Sequence, residues 1–531
     1  MEDYDCAQLY GYGRQQRRVL CCTQLSGAVF VLHAFAMRLL VADVDYWCVT
    51  PEYGSFFNIT PGDWKNMNIP IINGSYSRCQ MYDPPLTNVT SDVTRAIVNC
   101  TSWEYDLGEG VRTILSEWNL VCGRAWLVQL ATTLFFVGRI TGVVVTGHVV
   151  DRVGRKPVIY VSTFMTVASA VGVTFSLSFR IFVVTRMVLA ASLSALKIAT
   201  FVLLFELTPL DHRNCYCCLA HCGALICLGV VHTLDGVVLD MMTTFMILLW
   251  PTSFLIYNLY VVEESPQWLF TTNSIRSLER AVRSTCFYND YPFSSQKVRA
   301  EFDAQKHECM RRGETPGRRM TFVQLVTNRQ TRQRVLVLSS TWFVIEFVMY
   351  GTAFHFRQRD TLLLHLYVIA VQGLALASLI CAMRSYGRRQ IIGMCLYVAV
   401  AGCSCLCVTT TVYFVLYQLL RFITVMSTFV ALVVTYVYCA ELHPAAFRGA
   451  GISCCYLCGR LGSFAAVLFE VLPRWTHPGI PFAIGVALIL TSLMLLRDLP
   501  DTPRLTDRVG GTVPENKMCA RGLADFKRRP W

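Results

Sequence analysis

Apolar runs of about twenty residues recur along nearly the whole chain, each closed by a short cluster of charged, glycine or proline residues. They cover Leu20–Ala42, Ala125–Val149, Val158–Leu177, Ile181–Phe205, Cys215–Thr233, Met241–Val262, Val335–His355, Thr361–Met383, Ile391–Thr411, Val412–Ala440, Ala450–Leu472 and Trp475–Leu496. A helix advances about 1.5 Å per residue, so a run of this length crosses a hydrocarbon core roughly 30 Å thick. The pattern predicts twelve transmembrane helices in an all-α membrane protein. The ninth and tenth runs almost fuse around Thr409–Thr411. The first run is too long for the apolar stretch of a secretory signal, and no small-residue cleavage site follows it, so it is expected to be retained as a helix.

Composition agrees. The chain has 531 residues, 54% hydrophobic and 15% charged, with a mean hydropathy of +0.44; a soluble domain carries about 25% charged residues. The charges orient the helices. Between the first two runs, residues 43–124 hold the basic Lys65, Arg78, Arg95, Arg112 and Arg124 against the acidic Asp43, Asp45, Glu52, Asp63, Asp83, Asp92, Glu104, Asp106, Glu109 and Glu117. Residues 265–334 are instead dominated by Lys and Arg, and short basic clusters (Arg14, Arg17, Arg18; Arg152, Arg155, Lys156) fall on the same side. Positive charge stays on the cytosolic side of a membrane. Both termini and the 265–334 loop are therefore expected inside and the 43–124 loop outside, in a multi-pass protein of the plasma membrane. The net charge of +12 is topology, and no nucleic-acid partner is expected beside the lipid bilayer. The expected organisation is a cytosolic N-terminus (1–19), a six-helix bundle (20–264) with the outer loop (43–124), a central cytosolic loop (265–334), a second bundle (335–499) and a cytosolic tail (500–531). Nothing in the sequence decides the oligomeric state.

The outer loop carries its own marks of an extracellular compartment. Four Asn-x-Ser/Thr sequons start at Asn58, Asn73, Asn88 and Asn99, and are expected to carry glycans. Cys48, Cys79, Cys100 and Cys122 make an even set in an oxidising compartment, with three possible pairings. Elsewhere "CCLAHC" (Cys217–Cys222) and "CSCLC" (Cys403–Cys407) read as small polarizable helix contacts, and no metal or cofactor is expected.

Short charged phrases occur twice. "ELTPLDHR" (Glu206–Arg213) returns as "ELHPAAFR" (Glu441–Arg448), 235 positions on, and Arg186 returns as Arg421 at the same offset. "DRVGRK" (Asp151–Lys156) returns as "RSYGRR" (Arg384–Arg389), and "EESP" (Glu263–Pro266) closes the sixth run as "PDTP" (Pro500–Pro503) closes the twelfth. A near-constant offset argues for two six-helix repeats. Parallel repeats of this kind are a transporter architecture with the cargo held between them near the midplane.

At this point the chain resembles a known family. "GHVVDRVGRKP" (Gly147–Pro157) is similar to the cytosolic loop signature of the major facilitator superfamily. "SEWNLVC" (Ser116–Cys122), "VEESPQWL" (Val262–Leu269), the long sequon-rich first loop and the two Glu-Leu-x-Pro frames resemble its organic ion transporter family, the carriers of organic cations, organic anions and carnitine, from about Trp47 to Pro503. The resemblance implies a major facilitator fold and a small organic ion as cargo.

Charges at helix ends suit a gate. Asp151, Arg155, Glu206, Arg213, Glu441 and Arg448 are expected to latch the cytosolic side, with Glu206–Arg213 and Glu441–Arg448 pairing across their own loops and Asp151 facing a helix N-terminus. Arg384 stands where the first copy has Asp151, so the latch should be lopsided.

A charge inside a span costs at least about 2.5–3.5 kcal/mol and marks a pathway. Arg460, Lys197 and Glu346 are the substrate-site candidates, joined by Arg139 as further positive charge. Trp342 and Tyr350 flank Glu346 one turn to either side as aromatic lining. The resemblance implies a carboxylate at Gln372, and an arginine at Arg460 in anion and carnitine carriers but an acid in cation carriers. His33 and His365 read as satisfied by interhelical hydrogen bonds. The excess of buried basic residues favours an anionic or zwitterionic cargo carried by alternating access. Alternatives are an organic cation carrier or a receptor-like homologue on the same scaffold that transports nothing. No His-Glu-x-x-His, phosphate loop or nucleophile elbow occurs, so no enzyme is expected.

Overall fold

Each predicted run is helical among the described residues, and the differences lie at the ends and at breaks in two of the runs. The structure is a computed structural model that describes residues 6–41, 44–49, 61–72, 74–85, 95–108, 110–234, 239–311, 327–354, 362–409, 414–466, 472 and 476–501. Asn58, Asn73 and Asn88 lie outside the described residues, as does the side chain of His365. The long helices are α1 (Arg14–Leu40), α2 (Trp126–Val153), α3 (Arg155–Thr174), α4 (Phe179–Leu207), α5 (Leu210–Leu219 and Cys222–Leu234), α6 (Met241–Ser253), α7 (Arg329–Phe354), α8 (Leu362–Ser385), α9 (Arg388–Val408), α10 (Phe414–Leu442), α11 (Arg448–Ala465) and α12 (Ile480–Leu496). Among the described residues, nine helical segments are long and apolar enough to cross a membrane by themselves, and shorter apolar helices cover Ala370–Ser385 and Ile480–Leu496.

Several ends have local causes. α1 begins at Arg14, where the hydropathy reading started at Leu20, because Gln15 and Gln16 are buried and donate to Val261 and Leu207 carbonyls. α5 breaks at Ala220–His221, where a continuous run was expected. α6 contains Pro251, which removes a backbone donor; the chain tightens into a 3₁₀ turn (Phe254–Tyr257) before one last turn, Asn258–Val261. Gly154 separates α2 from α3 with φ 113°, a backbone conformation that L side chains rarely adopt, so two long helices can join through one residue.

The helices pack as two bundles whose interface obeys the repeat. α2 lies between α4 and α11, while α5 packs on α1 and on α8. The duplication maps α2 onto α8 and α5 onto α11, so the α2–α11 and α5–α8 crossings are the same contact made twice. One half-to-half approach is very close. A side chain on Gly449 at the start of α11 would meet Val150 Cγ1 and Asp151 Oδ1 of α2, and small residues at such crossings let backbones approach.

Outside the helices, the 43–124 stretch folds on itself. β1 (Tyr46–Cys48) pairs with β6 (Trp103–Tyr105), β2 (Ile71–Ile72) with β3 (Ser75–Tyr76), and β4 (Gln80–Asp83) with β5 (Ala96–Asn99), all antiparallel. Trp47, Cys48, Trp64 and Ile69 form its small core. Of the three possible pairings the disulfides are Cys48–Cys100 and Cys79–Cys122. Burial works against the Asp45 carboxylate, yet Lys65 and Arg78 beside it hold its pKa below the ordinary value. The 265–334 stretch is helical too, at Pro266–Thr271, Ile275–Asn289 and Ser295–Arg311. The buried face of Ile275–Asn289 (Leu278, Ala281, Val282, Cys286) covers the N-terminal segment, where Asn289 donates to the Tyr10 carbonyl and accepts from Gln15 N.

Candidate functional site

Two clusters of charge lie where the halves meet. The first closes one end of the α2–α11 crossing. Arg155 reaches Glu206 with two parallel bonds, Nη2–Oε1 at 2.7 Å and Nε–Oε2 at 2.9 Å. Arg448, from the other half, donates Nη1 to the same Oε1 at 2.8 Å. The expected pairs across each loop are therefore corrected: Glu206 takes Arg155 and Arg448, while Arg213 donates to the Thr208 carbonyl instead. A fully buried carboxylate needs its lone pairs satisfied as well as its charge paired, and the crossing supplies three N–H donors from Arg155 and Arg448. Arg155 also donates to the Ala445 carbonyl at 2.8 Å, a second bond between halves.

Asp151 faces a helix N-terminus as expected, and the helix is α11. Its carboxylate accepts from Ala450 N at 2.8 Å and Gly449 N at 3.2 Å, and lies 3.1 Å from Arg155 Nη1. Anions are favoured there by the free N–H groups and the macrodipole. The Glu-Glu-Ser-Pro-Gln-Trp phrase supports this cluster. Glu263 pairs with Lys156 at 2.8 Å, and Glu264 accepts from the Arg155 backbone N–H. Burial raises the pKa of the Glu264 carboxyl, opposed by the backbone N–H groups of Ser265 and Arg155. Ser265 caps the following helix with Pro266 in its first turn, Gln267 accepts from Arg448, and Trp268 Nε1 donates to the Asp151 carbonyl at 2.9 Å.

The second copy is built differently. Arg388, the repeat of Arg155, pairs with Glu441 at 3.1 Å and donates to Asn214 Oδ1 of the other half at 2.6 Å. With Arg384 in place of an aspartate, a side-chain amide supplies the bond between halves. Arg421 donates twice to the Thr352 carbonyl at the end of α7, whereas its counterpart Arg186 packs over Phe135 and Phe182.

The second cluster lies within the spans. Arg460 of α11 forms an ion pair with Glu346 of α7, and Trp342 Nε1 donates to the same Glu346 oxygen at 3.2 Å. Trp342 is fully buried, its ring centre 4.4 Å from that of Tyr436 in an edge-to-face arrangement. Arg460 stacks 4.7 Å from the ring centre of Tyr456 and 5.9 Å from Tyr350. From the opposite half, Lys197 Nζ lies 4.5 Å from the Phe30 ring centre and 5.7–5.8 Å from Tyr456 and Tyr436. Arg139 lies over the same Phe30 at 4.6 Å, and its Nε and Nη2 are buried with no hydrogen-bond acceptor among the described residues. Three cations and one carboxylate thus share a cage of Phe30, Trp342, Tyr350, Tyr436 and Tyr456 drawn from both halves.

Arg460, Glu346, Trp342, Tyr350 and Lys197 meet as one cluster. Gln372 is buried on α8, and its Oε1 has no hydrogen-bond partner among the described residues. His33 donates or accepts at 2.8 Å with Thr252, the interhelical bond expected of it. Sequence reasoning passed over Phe30, Tyr436, Tyr456, Asn214 and Gln267. With 31 Phe and 23 Tyr in the chain, an aromatic residue carries no signal until a cation is seen over its ring.

A sequence profile of the sugar (and other) transporter family matches residues 76–357 and 358–522. The beta-alanine transporter of Drosophila melanogaster is 24% identical over 529 residues, covering 91% of this chain and 83% of that protein. Solute carrier family 22 member 7 of Mus musculus is 26% identical over 541 residues (95% and 96%), and the organic cation transporter protein of Drosophila melanogaster 25% over 515 (92% and 90%). Among solved structures, the proton:xylose symporter XylE of the major facilitator superfamily superposes with a TM-score of 0.61 at 15% identity, over 92% of this chain and 96% of that one. The human organic anion transporter MFSD10 gives 0.53 at 14% identity, over 91% and 99%. A profile that matches most of the chain in two blocks and a fold of two six-helix halves lead to one conclusion: this chain belongs to the sugar (and other) transporter family, with the major facilitator fold and organic ion carriers among its relatives.

Proposed function

We propose that the protein carries small organic anions across the plasma membrane by alternating access, with Arg460, Lys197 and Arg139 drawing the cargo and Asp151, Arg155, Glu206 and Arg448 latching the cytosolic side. The supporting observation is the charge of the cage. Glu346 neutralises Arg460, while no carboxylate among the described residues lies within ion-pair distance of Lys197 or Arg139. Two unbalanced cations in a low-dielectric site attract carboxylates or sulfates and repel lone cations. The aromatic walls accept the organic body. On this reading the bonds from the start of α11 to Asp151 hold the cytosolic side closed until the halves part. The sequons at Asn58, Asn73, Asn88 and Asn99 are read as glycosylated, with both termini cytosolic.

A zwitterion is the second reading, favoured by the Arg460–Glu346 pair itself: the carboxylate of a zwitterion can take Arg460 while its ammonium takes Glu346. One similar protein is named for beta-alanine, a molecule of that kind. Uptake of one labelled organic anion, one tetraalkylammonium cation and carnitine by cells expressing the protein tests the reading. Anion uptake above background, lost on Lys197→Ala, is expected; uptake of none of the three by protein at the cell surface would point to a scaffold that does not transport. Orientation is read separately. Glycosidase should shift the gel mobility, and an epitope placed in 312–326 should stain only after permeabilisation.

A further inference from the structure

A groove of about 970 Å³ opens at the end of the N-terminal bundle that carries the disulfide-linked loop, between the starts of α2 and α4. It is separate from both clusters described above. Its lining is graded along the two helices, which run parallel. At the rim stand Arg124 and Arg180, both exposed, with Asn119 and Ser178. One to two turns deeper on α2 come Leu127 and Leu130, and on α4 Val183 and Val184. Leu177 projects at the mouth, 93% exposed, and Val184 is 57% exposed. Trp118 and Phe179 also line it, and the Trp118 ring centre lies 5.0–5.7 Å from those of Phe182 and Phe179.

The charges at the rim do not cancel. Glu117, the one acid of the lining, pairs with Arg112 at 3.3 Å. No carboxylate among the described residues lies within ion-pair distance of Arg124 or Arg180. The α4 start adds N–H groups with no partner inside their own helix. The groove is thus cationic at the membrane surface and apolar along about 9 Å of helix below it, taking six residues from Arg124 to Leu130 at 1.5 Å each. A soluble anion would use the rim and leave the apolar wall empty. A lipid uses both: its acyl chain covers the apolar wall by van der Waals packing, as lipid does along any span, while arginines take the phosphate bidentately.

We infer that this groove is a binding site for one phospholipid, its phosphate held by Arg124 and Arg180 and one acyl chain lying along Leu127, Leu130, Val183 and Val184. Under the orientation proposed above the lipid belongs to the outer leaflet. The groove touches no residue of the cage or the latch, so the site is structural or regulatory and is not the cargo path.

The test uses the full-length protein purified in mild detergent, where the side of the membrane plays no part, so its failure leaves the proposed orientation and cargo untouched. Native mass spectrometry and phosphorus assay read the lipid retained. One phospholipid per chain is expected on the wild type, falling at least tenfold in Arg124→Ala/Arg180→Ala and in Leu130→Trp, which fills the apolar end. Arg276→Ala/Arg280→Ala, on the Ile275–Asn289 helix, should retain it in full. Equal retention by wild type and Arg124→Ala/Arg180→Ala overturns the inference, as does a wild type with no lipid. Added glycerophosphate, which has the phosphate and no chain, should not displace the lipid; displacement at equal concentration would make the rim a soluble-anion site and also overturn it.

Discussion

Replacing Asp151 by asparagine tests the latch with the least disturbance of shape. The carboxylate accepts two backbone N–H groups at the start of α11, at 2.8 and 3.2 Å, and both bonds join one half to the other. Asparagine keeps one carbonyl oxygen and can hold one of them as a neutral bond. The second is lost, and so is the charge on the helix dipole. A hydrogen bond to a charged group contributes about 1.5–3 kcal/mol against roughly 0.5–1.5 for a neutral one, and a charge at a helix end about 0.3–1. Even at the low end of these ranges the difference comes to about 2 kcal/mol, or about 30-fold in the balance between cytosol-closed and cytosol-open states, since 1.36 kcal/mol is a factor of ten. Because Glu206 still holds Arg155 and Arg448, the halves should stay folded. Spin labels at the cytosolic ends of α4 and α10 read the balance as two distance populations in double electron–electron resonance. The open population should rise by about that factor in Asp151→Asn and much less in Arg384→Ala, because the second copy makes its bond between halves through Arg388 and Asn214. Distance distributions unchanged in Asp151→Asn, or changed equally in both variants, would refute the reasoning and leave these residues as plain anchors to the inner leaflet.

Other outcomes follow from the same geometry. Gly449→Ala puts a methyl group against Val150 and Asp151; overpacking of this kind costs about 1–3 kcal/mol, and the same label pair should show the cytosolic side forced open with the detergent-solubilised protein still monodisperse. Arg460→Ala strands Glu346 as a lone buried charge at a cost of about 3–5 kcal/mol, so its melting temperature should fall sharply, whereas Arg460→Ala with Glu346→Gln should recover most of the melting temperature without recovering uptake. Cys79→Ser opens a disulfide of sequence separation 43, worth about 4 kcal/mol by loop closure, and should make the 43–124 loop sensitive to protease on intact cells.

Much of the fold could be read from the sequence, because a membrane converts length and hydropathy directly into helices and leaves few alternatives. What hydropathy misread were ends and breaks set by single side chains. Gln15 and Gln16 look like the polar tail of α1, yet they are buried and bonded to neighbouring chain carbonyls. In the candidate site the charges were legible, since Arg460, Glu346 and Lys197 stand out against apolar neighbours. Their partners were not. Glu206 meets Arg448 over a separation of 242 residues, and Arg388 meets Asn214 over 174. Loop length argued for the nearer arginine, and only the crossing of the halves brings the farther one within reach. Tyr436 and Tyr456 were invisible for a related reason: their role depends on Lys197 arriving from the opposite half.

The central claim is that the unbalanced cations of the cage set the sign of the cargo, and uptake into proteoliposomes tests it most directly. Purified wild type, Lys197→Ala and Arg460→Ala are each given a labelled aromatic carboxylate and a labelled tetraalkylammonium ion of similar size. The account predicts saturable carboxylate uptake by the wild type, at least tenfold weaker in Lys197→Ala, with little uptake of the cation by any of the three. Strong cation uptake by the wild type that survives in Arg460→Ala would contradict it.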